Sequence, residues 1–350
     1  AVRLTGLLQP QTSLPGALEL RPYLRTSRME FLQHFLLGQP LERNGQESAG
    51  LMTSVDWNLG ERVALITGID LEWADSFLIE DQAQPTTGGS PAANAIRPVG
   101  LHYDYAVTSN VAAGYAQFEY SVTETLHAGA GVRVEYVGYD YDNRMLSGNT
   151  DENGVPCMPT GCLYSRPADR EDSFTNTAPK LSLRWDAADG LMVYANASRG
   201  FRPPELTELY RLQRNQPVPE LDSEQIDGYE IGEKAARGDW QGELAAFDMR
   251  KKNVILRESN GYYVSNGRTS HEGIEYTATW QAFDWLTANL SGTYARHRYD
   301  FSRAVEGGET IVSGNDVDTA PRELLRATLE FQPLPSLAAD AEWLVVGDYF

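Results

Sequence analysis

The stretch "YANASRGFRPPELTELY" (194–210) decides how the surrounding sequence folds. From Leu191 to Arg202, small or apolar residues alternate with polar ones, which is the pattern of a strand with two different faces. Pro203 and Pro204 come next, and a proline cannot donate a hydrogen bond to a sheet ladder. The sequence therefore predicts a strand that ends at the prolines, followed by a loop with a charged and aromatic surface.

The same period-two alternation recurs along the chain. It is clear in "HAGAGVRVEYVGYD" (127–140), "HEGIEYTATW" (271–280) and "LLRATLEF" (324–331). In the first of these, one face is apolar and consists of Ala128, Ala130, Val132, Val134 and Tyr136. The opposite face carries charge in all three stretches. The chain is therefore predicted to be all-β.

The connections between the candidate strands alternate between short and long. The short ones are 58–62, 122–126, 186–190, 237–240, 282–285 and 332–336. The long polar ones are 81–110, 143–171, 203–222 and 302–320, with shorter examples at 38–46 and 258–267. In an up-and-down meander every second connection lies at the same end. Short turns at one end and long loops at the other, over about fourteen strands, are typical of a transmembrane antiparallel β-barrel.

Tryptophans lie beside the short turns. Trp57, Trp185, Trp240 and Trp285 occupy the positions at which an aromatic girdle meets the lipid headgroups. The alternative is a set of core tryptophans in a soluble β-protein. Strand length favours the barrel, because candidates such as 61–80 exceed the ~9–11 residues that cross a bilayer.

Composition excludes several classes of protein. With 29 Lys and Arg against 49 Asp and Glu, the net charge is −20, which argues against a nucleic-acid partner. No apolar run approaches the roughly 20 residues of a membrane helix. Neither end has the form of a natural terminus, so residues 1–350 are expected to be part of a longer protein.

Three segments resemble the TonB-dependent outer-membrane receptors. They are the opening stretch with its Gly-Phe-Arg-x-Pro strand end, "LDSEQIDGYEIGEKA" (221–235) and "NGRTSHEGIEYTATW" (266–280). "DTAPRELLRATLEF" (318–331) follows where a comparable strand is expected. The matching positions are Gly200, Phe201, Arg202, Pro204, Glu205, Leu206, Tyr229, Glu230, Gly232, Gly273 and Glu275.

The resemblance implies a 22-stranded barrel in the outer membrane of a Gram-negative bacterium, closed by an N-terminal plug that contacts TonB. This chain would be the barrel portion alone, over 1–350, without the plug and the last strands. Its surroundings would be outer-membrane lipid and lipopolysaccharide. It would be a transport receptor and not an enzyme, with no cofactor of its own, and iron would enter only inside a transported chelate.

Cys157 and Cys162, in "CMPTGC", are predicted to form a disulfide within a long loop. A zinc site would need two more ligands, and none lies nearby at metal spacing. Asn149, Asp151 and Asn153 have the alternate spacing of a calcium loop, but its twelfth position is Thr160 and not glutamate. We therefore predict no resident metal site. The sequence also shows no catalytic motif, because "HEGIE" lacks the second histidine of a zinc protease and nucleophile-elbow and phosphate-loop patterns are missing.

Ligand capture is expected in the long loops, which gather tyrosine and arginine. Arginine binds carboxylate or catecholate oxygens bidentately, and aromatic rings cover an apolar chelate. The candidate ligand-binding residues are Tyr103, Tyr141, Arg144, Arg166, Tyr210, Arg211, Arg214, Tyr263 and Arg268. Alternatively, these side chains contact only lipopolysaccharide or each other.

Four hypotheses for the function remain open. The first is import of a ferric siderophore with energy supplied through TonB, and the second keeps the fold but changes the cargo to cobalamin, haem or an oligosaccharide. The third is a secreted or periplasmic glycan hydrolase that uses a carboxylate pair. The fourth is a passive porin or an adhesin, which would have no plug.

Overall fold

The computed structural model describes residues 1–11, 15–257, 262–304 and 310–349. Parts of two predicted connections, 258–261 and 305–309, lie outside the described residues. The described chain contains one antiparallel sheet of fourteen strands. These strands are β1 (Val2–Thr5), β2 (Gly16–Leu32), β3 (Leu41–Asn58), β4 (Val63–Gln82), β5 (Gly100–Ser121), β6 (Leu126–Asn143), β8 (Arg170–Ala188), β9 (Leu191–Arg202), β11 (Glu224–Arg237), β12 (Trp240–Arg257), β13 (Tyr263–Phe283), β14 (Leu286–Tyr299), β17 (Glu323–Leu334) and β18 (Leu337–Val346).

The remaining elements are short and lie in the long connections. They are α1 (Pro91–Ala95), β7 (Tyr164–Ser165), α2 (Leu206–Tyr210), β10 (Leu212–Gln213), β15 (Arg303–Ala304) and β16 (Thr310–Ile311). β7 pairs with β10, which joins the loop after β6 to the loop after β9. Neither α1 nor α2, the helices among the described residues, combines the length and apolar character needed to cross a membrane.

The sheet is an up-and-down meander. Each of the fourteen strands pairs with its neighbours in chain order, and β1 and β18 lie at the two ends of that order. The prediction of an all-β antiparallel fold with about fourteen strands is confirmed. β9 ends at Arg202, directly before Pro203 and Pro204, as the opening stretch predicted.

The sheet exposes its apolar face. Ile69, Leu71 and Trp73 of β4 are 57%, 50% and 47% exposed, although all three are large hydrophobic residues. Asp70 alternates with them and points to the other side, where its Oδ2 lies 2.5 Å from Nη1 of Arg133 on β6. A sheet that is apolar outside and charged inside has the arrangement of a barrel wall in lipid and not of a soluble β-protein core.

The upper limit of this apolar band is marked by charged residues on the same outer face. After Trp73, the next outward residue of β4 is Asp75, which is exposed. On β11 the exposed Tyr229 is next to Asp227 on that face, and on β13 Ile274 is next to Glu272. The strands continue beyond these carboxylates toward the long loops, so their ends extend past the apolar band.

Aromatic pairs lie beside the short turns, as expected for a girdle. Trp240 and Trp280 stack at a centroid distance of 4.8 Å, and Phe283 and Trp285 stack at 4.9 Å. Trp185 is 51% exposed beside the turn between β8 and β9. These tryptophans lie on the surface, so the alternative of core tryptophans is wrong for them.

The predicted connections 143–171 and 203–222 agree with the structure, whereas 81–110, 38–46 and 258–267 include strand residues, because those strands extend further than local polarity indicated. Four candidate ligand residues assigned to loops, Tyr103, Tyr141, Tyr263 and Arg268, lie on strands β5, β6 and β13. Tyr103 and Tyr141 point inward and are covered by the loops after β6 and β9. Burial by these distant segments favours the strand, and local sequence does not show it.

Candidate functional site

The loop end of the sheet begins at the Gly-Phe-Arg-Pro-Pro motif. Nε of Arg202 donates to Oε2 of Glu224 at 2.8 Å, and its two terminal nitrogens reach the carboxylate of Glu208 at 3.0 and 3.1 Å. The Glu205 backbone N–H also donates to Glu208 Oε2 at 2.7 Å. The motif thus ends β9, starts α2 and fixes that helix to the first residue of β11. Its role in this structure is to position the loop.

Two glycines of the motif belong to the inner wall. A Cβ on Gly232 would lie 2.6 Å from the ring of Tyr194, and a Cβ on Gly273 would lie 2.7 Å from the ring of Phe247. These glycines leave room for aromatic rings that lie across the neighbouring strand. Tyr229, by contrast, is 58% exposed on the outer apolar face.

The remaining motif residues are polar or lie near the strand end. Glu230 accepts from Asn196 at 3.3 Å, and Glu275 lines an inner cavity with Lys180. Gly200 and Phe201 lie at the end of β9, Pro204 is buried, and Leu206 starts α2 and packs against the buried loop core. The family motif therefore describes the wall and the rim more than a ligand site.

Aromatic residues from strands and loops form a buried layer at the loop end. Tyr141 stacks on Tyr210 at 4.3 Å, and Tyr164 stacks on His102 at 3.9 Å. The Tyr103 hydroxyl donates to the Leu212 carbonyl at 2.7 Å. Tyr103, Tyr141 and Tyr210 are at most 2% exposed. The prediction that these three contact a ligand is corrected: in this structure they pack the loops onto the strands.

Arg166 is also buried, at 2% exposure. Its guanidinium donates to the backbone carbonyls of Leu146, His102 and Thr150 at 2.8, 3.1 and 2.8 Å, and to the Thr150 hydroxyl at 2.9 Å. Burial lowers the pKa of Arg166 from its ordinary value. Its donors are occupied within the protein, so Arg166 holds the loop after β6 together and is not exposed to a ligand.

Arg211 is neutralised by two carboxylates. Its Nη1 lies 3.0 Å from Oε2 of Glu42, and its Nη2 contacts Glu80. His102 Nδ1 lies 2.9 Å from Oε1 of Glu80, and Gln33 donates to Oε2 of Glu42 at 2.7 Å. We call Glu42, Glu80, His102 and Arg211 the carboxylate cluster. It binds the loop after β9 to strands β3, β4 and β5.

The pKa values in the carboxylate cluster follow from competing effects. Burial alone would raise the pKa of Glu80, but the hydrogen bond with His102 and the charge of Arg211 outweigh it, and the pKa lies below its ordinary value. Burial alone would lower the pKa of Arg211, but the charges of Glu80 and Glu42 outweigh burial, and the pKa lies above its ordinary value. Both groups are therefore charged at neutral pH, and the charge of Arg211 is compensated inside the protein.

Cys157 and Cys162 are joined by a disulfide bond in the loop after β6. Asp151, from the calcium-like spacing, accepts from the backbone N–H groups of Asn153 and Val155 at 2.9 and 2.8 Å. This carboxylate closes a turn. Among the described residues, no group of three or more His, Cys, Asp or Glu side chains is arranged to hold a metal ion.

Arg97 and Arg214, at the loop end, have no carboxylate partner among the described residues. Arg214 Nη1 donates to Thr160 Oγ1 at 2.7 Å, and Arg97 Nη1 donates to the Ala93 carbonyl. In the part of the chain that the structure describes, these two guanidiniums contact a hydroxyl and a backbone carbonyl. Burial and the positive charge of Arg214 lower the pKa of Arg97. We call Arg97 and Arg214 the arginine pair.

The arginine pair is held in place by backbone contacts between three loops. The N–H of Leu163 donates to the Ile96 carbonyl at 2.9 Å, and the N–H of Arg214 donates to the Leu163 carbonyl at 2.6 Å. The Tyr262 hydroxyl reaches the Arg214 carbonyl at 2.5 Å. Sequence reasoning identified Arg214 and missed Arg97, although Arg97 follows α1 in a predicted long connection and its residue type was the available signal.

The remaining candidates are dispersed. Arg144 is half exposed, and its Nε lies 3.5 Å from Oδ2 of Asp142. Tyr263 lies under the guanidinium of Arg257 at 5.8 Å. Arg268 is exposed on the outer face of β13. The structure does not bring these three together with the arginine pair.

Below the loops, the interior contains a cavity of about 540 Å³. Its lining residues include Arg21, Asp70, Tyr115, Arg133 and Lys180. Arg133 is paired with Asp70 and Glu135, and Lys180 donates to Gln117 at 2.9 Å. The interior is therefore polar and charged, with most of the charge paired.

Comparison with known proteins places these features in a family. The family model for "TonB dependent receptor-like, beta-barrel" matches residues 9–350. A segment of 148 residues is 27% identical to the metal-pseudopaline receptor CntO of Pseudomonas aeruginosa and covers 41% of this chain and 19% of that protein.

Solved structures show the same fold. The ferric yersiniabactin uptake receptor FyuA of Yersinia pestis superposes with a TM-score of 0.68 at 17% identity, over 99% of this chain and 49% of that one. The copper transporter OprC gives 0.73 at 14% identity, over 98% and 51%. The siderophore receptor PiuA of Acinetobacter baumannii gives 0.69 at 11%, over 98% and 53%. The chain spans about half the length of these structures.

Proposed function

The chain belongs to the TonB-dependent receptor family, and on that premise we propose that it forms part of an outer-membrane receptor for a ferric siderophore. The receptor binds the chelate at its long loops and admits it to the periplasm of a Gram-negative bacterium. No bond is made or broken, and the protein carries no cofactor of its own. The iron arrives inside the cargo.

The arginine pair is the observation that supports an anionic cargo. The protein has a net charge of −20, and Arg211, in the loop after β9, is compensated by Glu42 and Glu80. Arg97 and Arg214 instead hold two positive charges near each other without a carboxylate from the described residues. Carboxylate or catecholate oxygens of a ferric chelate would supply the missing negative charge and accept bidentate hydrogen bonds.

Other parts of the proposal rest on family membership. Residues 1–350 would be about two thirds of a 22-stranded barrel, and a plug outside this chain would contact TonB and receive the energy for import. Lipopolysaccharide would contact the outer rim. There Arg199 Nε lies 2.6 Å from Asp227, and Lys252 lies 3.4 Å from the same carboxylate, directly above the apolar band.

Among the candidate residues from the sequence, Arg214 carries the proposal. Arg144 and Tyr263 remain candidate contacts at the mouth, because both are partly accessible there. Arg268 faces outward from β13, so its proposed ligand is lipopolysaccharide and not the chelate.

The test is equilibrium binding by the purified full-length receptor, plug included. Ferric catecholate, hydroxamate and carboxylate chelates are titrated while intrinsic tryptophan fluorescence is recorded. At least one chelate is expected to bind, and Arg97→Gln or Arg214→Gln should each weaken it by about 1.5–3 kcal/mol, roughly 10- to 100-fold. Arg62→Gln, in the exposed turn between β3 and β4, is the matched control and should change nothing.

Failure of every ferric chelate to bind would contradict the siderophore assignment. Binding of a neutral oligosaccharide that is indifferent to both substitutions would show that the arginine pair has no part in recognition. Partition of the full-length protein into the aqueous phase without detergent would contradict the membrane location.

A further inference from the structure

Two histidines on neighbouring strands touch each other. His271 of β13 and His297 of β14 are directly opposite in the sheet, and their Nδ1 atoms lie 2.8 Å apart. The ring centroids are 5.0 Å apart, and the planes are inclined by 54°. Neither ring takes part in the arginine pair or the carboxylate cluster.

The two histidines lie on the inner face, above the apolar band. His271 alternates with outward residues Ser270 and Glu272, and Ile274 is the first apolar outward residue below it. Both histidines are only partly buried. The two rings therefore face the interior and not the outer apolar surface.

The second nitrogen of His271 is already occupied. Its Nε2 lies 2.9 Å from the hydroxyl of Thr269, which is 6% exposed. When Nε2 donates to this hydroxyl, Nδ1 of His271 carries a lone pair directed at His297. A histidine that binds a metal through one nitrogen and donates from the other has this arrangement.

The distance between the two Nδ1 atoms identifies the geometry that fits. Two metal–nitrogen bonds of about 2.0 Å at a right angle separate their nitrogens by about 2.8 Å, whereas a tetrahedral angle requires about 3.3 Å. The observed 2.8 Å is a hydrogen-bond distance between the two rings, and it is also close to the separation that a right angle requires. Square-planar coordination by imidazole is typical of Cu(II), which also binds nitrogen ligands most tightly among the divalent metals of its row.

We propose that His271 and His297 form a binding site for a divalent copper ion on the inner wall of the barrel. Each histidine supplies Nδ1, and water completes the coordination. The metal replaces the hydrogen that the two Nδ1 atoms share. His297 moves this proton to its own Nε2 through solvent, so two neutral imidazoles bind the ion and no net proton is released. This site is independent of the arginine pair and of the chelate that the pair would bind.

The experiment uses the untagged full-length receptor in detergent, stripped of metal with a chelator. Copper(II) is titrated by calorimetry, and the electron paramagnetic resonance spectrum of the complex is recorded. One copper ion should bind, and its spectrum should show coupling to two equivalent nitrogens. His271→Gln and His297→Gln should each weaken binding by at least about tenfold. His34→Gln, which removes an exposed histidine of the loop after β2, is the control.

Folding of each variant is checked by the heat-dependent shift of the barrel on an electrophoresis gel, so that lost binding is not confused with lost structure. Thr269→Val is a separate test of the second nitrogen, and it should weaken copper binding while both ligand histidines remain. Copper affinity unchanged in both histidine variants would overturn the proposal. A bound spectrum with no nitrogen coupling would overturn it as well.

Discussion

Removing Arg211 should release the loop after β9 without unfolding the sheet. In Arg211→Gln, Glu42 and Glu80 lose the cation that faces them, although their side chains are only 9% and 6% exposed. Removing one partner of a buried ion pair costs about 3–5 kcal/mol. Because Arg211 itself is 28% exposed, we expect about 3 kcal/mol, the lower end of this range.

Hydrogen exchange followed by mass spectrometry measures this cost locally. Protection in the peptides that cover 203–223 should fall by about 100-fold, because each 1.4 kcal/mol is a factor of ten. Peptides from the parts of the strands that form the apolar band should keep their protection. The heat-dependent gel shift of the barrel should also be unchanged, since the carboxylate cluster lies above the membrane.

Two controls separate charge from packing. Arg144→Gln removes an exposed ion pair with Asp142 and should leave exchange unchanged within about 1 kcal/mol. The double variant Arg211→Gln/Glu42→Gln removes one of the two repelling carboxylates and should recover part of the lost protection. Unchanged protection of 203–223 in Arg211→Gln would refute the reasoning. Lower protection of 203–223 in the double variant than in Arg211→Gln would refute it as well.

Two further predictions follow from contacts in the wall and at the rim. Gly232→Ala places a methyl group 2.6 Å from the Tyr194 ring, and this overpacking should cost about 1–3 kcal/mol. The temperature at which the barrel unfolds in the gel-shift assay should therefore fall, and the double variant Gly232→Ala/Tyr194→Leu should restore that temperature. The pKa of Glu80 is lowered by folding, so its contribution to stability is complete above its ordinary value of 4.5 and is lost as the pH falls through the folded value. The near-ultraviolet circular dichroism of the buried tyrosines should therefore decrease on acidification below that value in the wild type and decrease less in Glu80→Gln.

Period-two alternation predicted the architecture because strand pairing depends on a local pattern. The meander, the strand end at Arg202 and the positions of all the short turns are readable from residues close together in sequence. An outward apolar face repeats in every strand, so an error in one strand does not change the fold. The resemblance to a receptor family was also readable, since its motif residues position the rim and the wall.

The site could not be predicted in the same way. Arg211 contacts Glu80 across 131 positions of sequence, and Tyr103 contacts Leu212 across 109. A tyrosine in a polar segment has the same local sequence whether it is exposed on a loop or buried under a distant loop. The local sequence therefore could not show that Tyr103 is buried. Arg97 was missed for the same reason, because its significance depends on Arg214 and on the lack of a described carboxylate partner for either.

Uptake of radiolabelled iron by cells tests the proposed function most directly. A strain whose only receptor for the bound chelate is this full-length protein is compared with the same strain carrying Arg97→Gln/Arg214→Gln, at equal amounts in the outer membrane. The wild type should import iron, and import should stop when the proton gradient is dissipated. The double variant should import little. Equal import by the two strains, or import that persists without the receptor, would contradict the proposal.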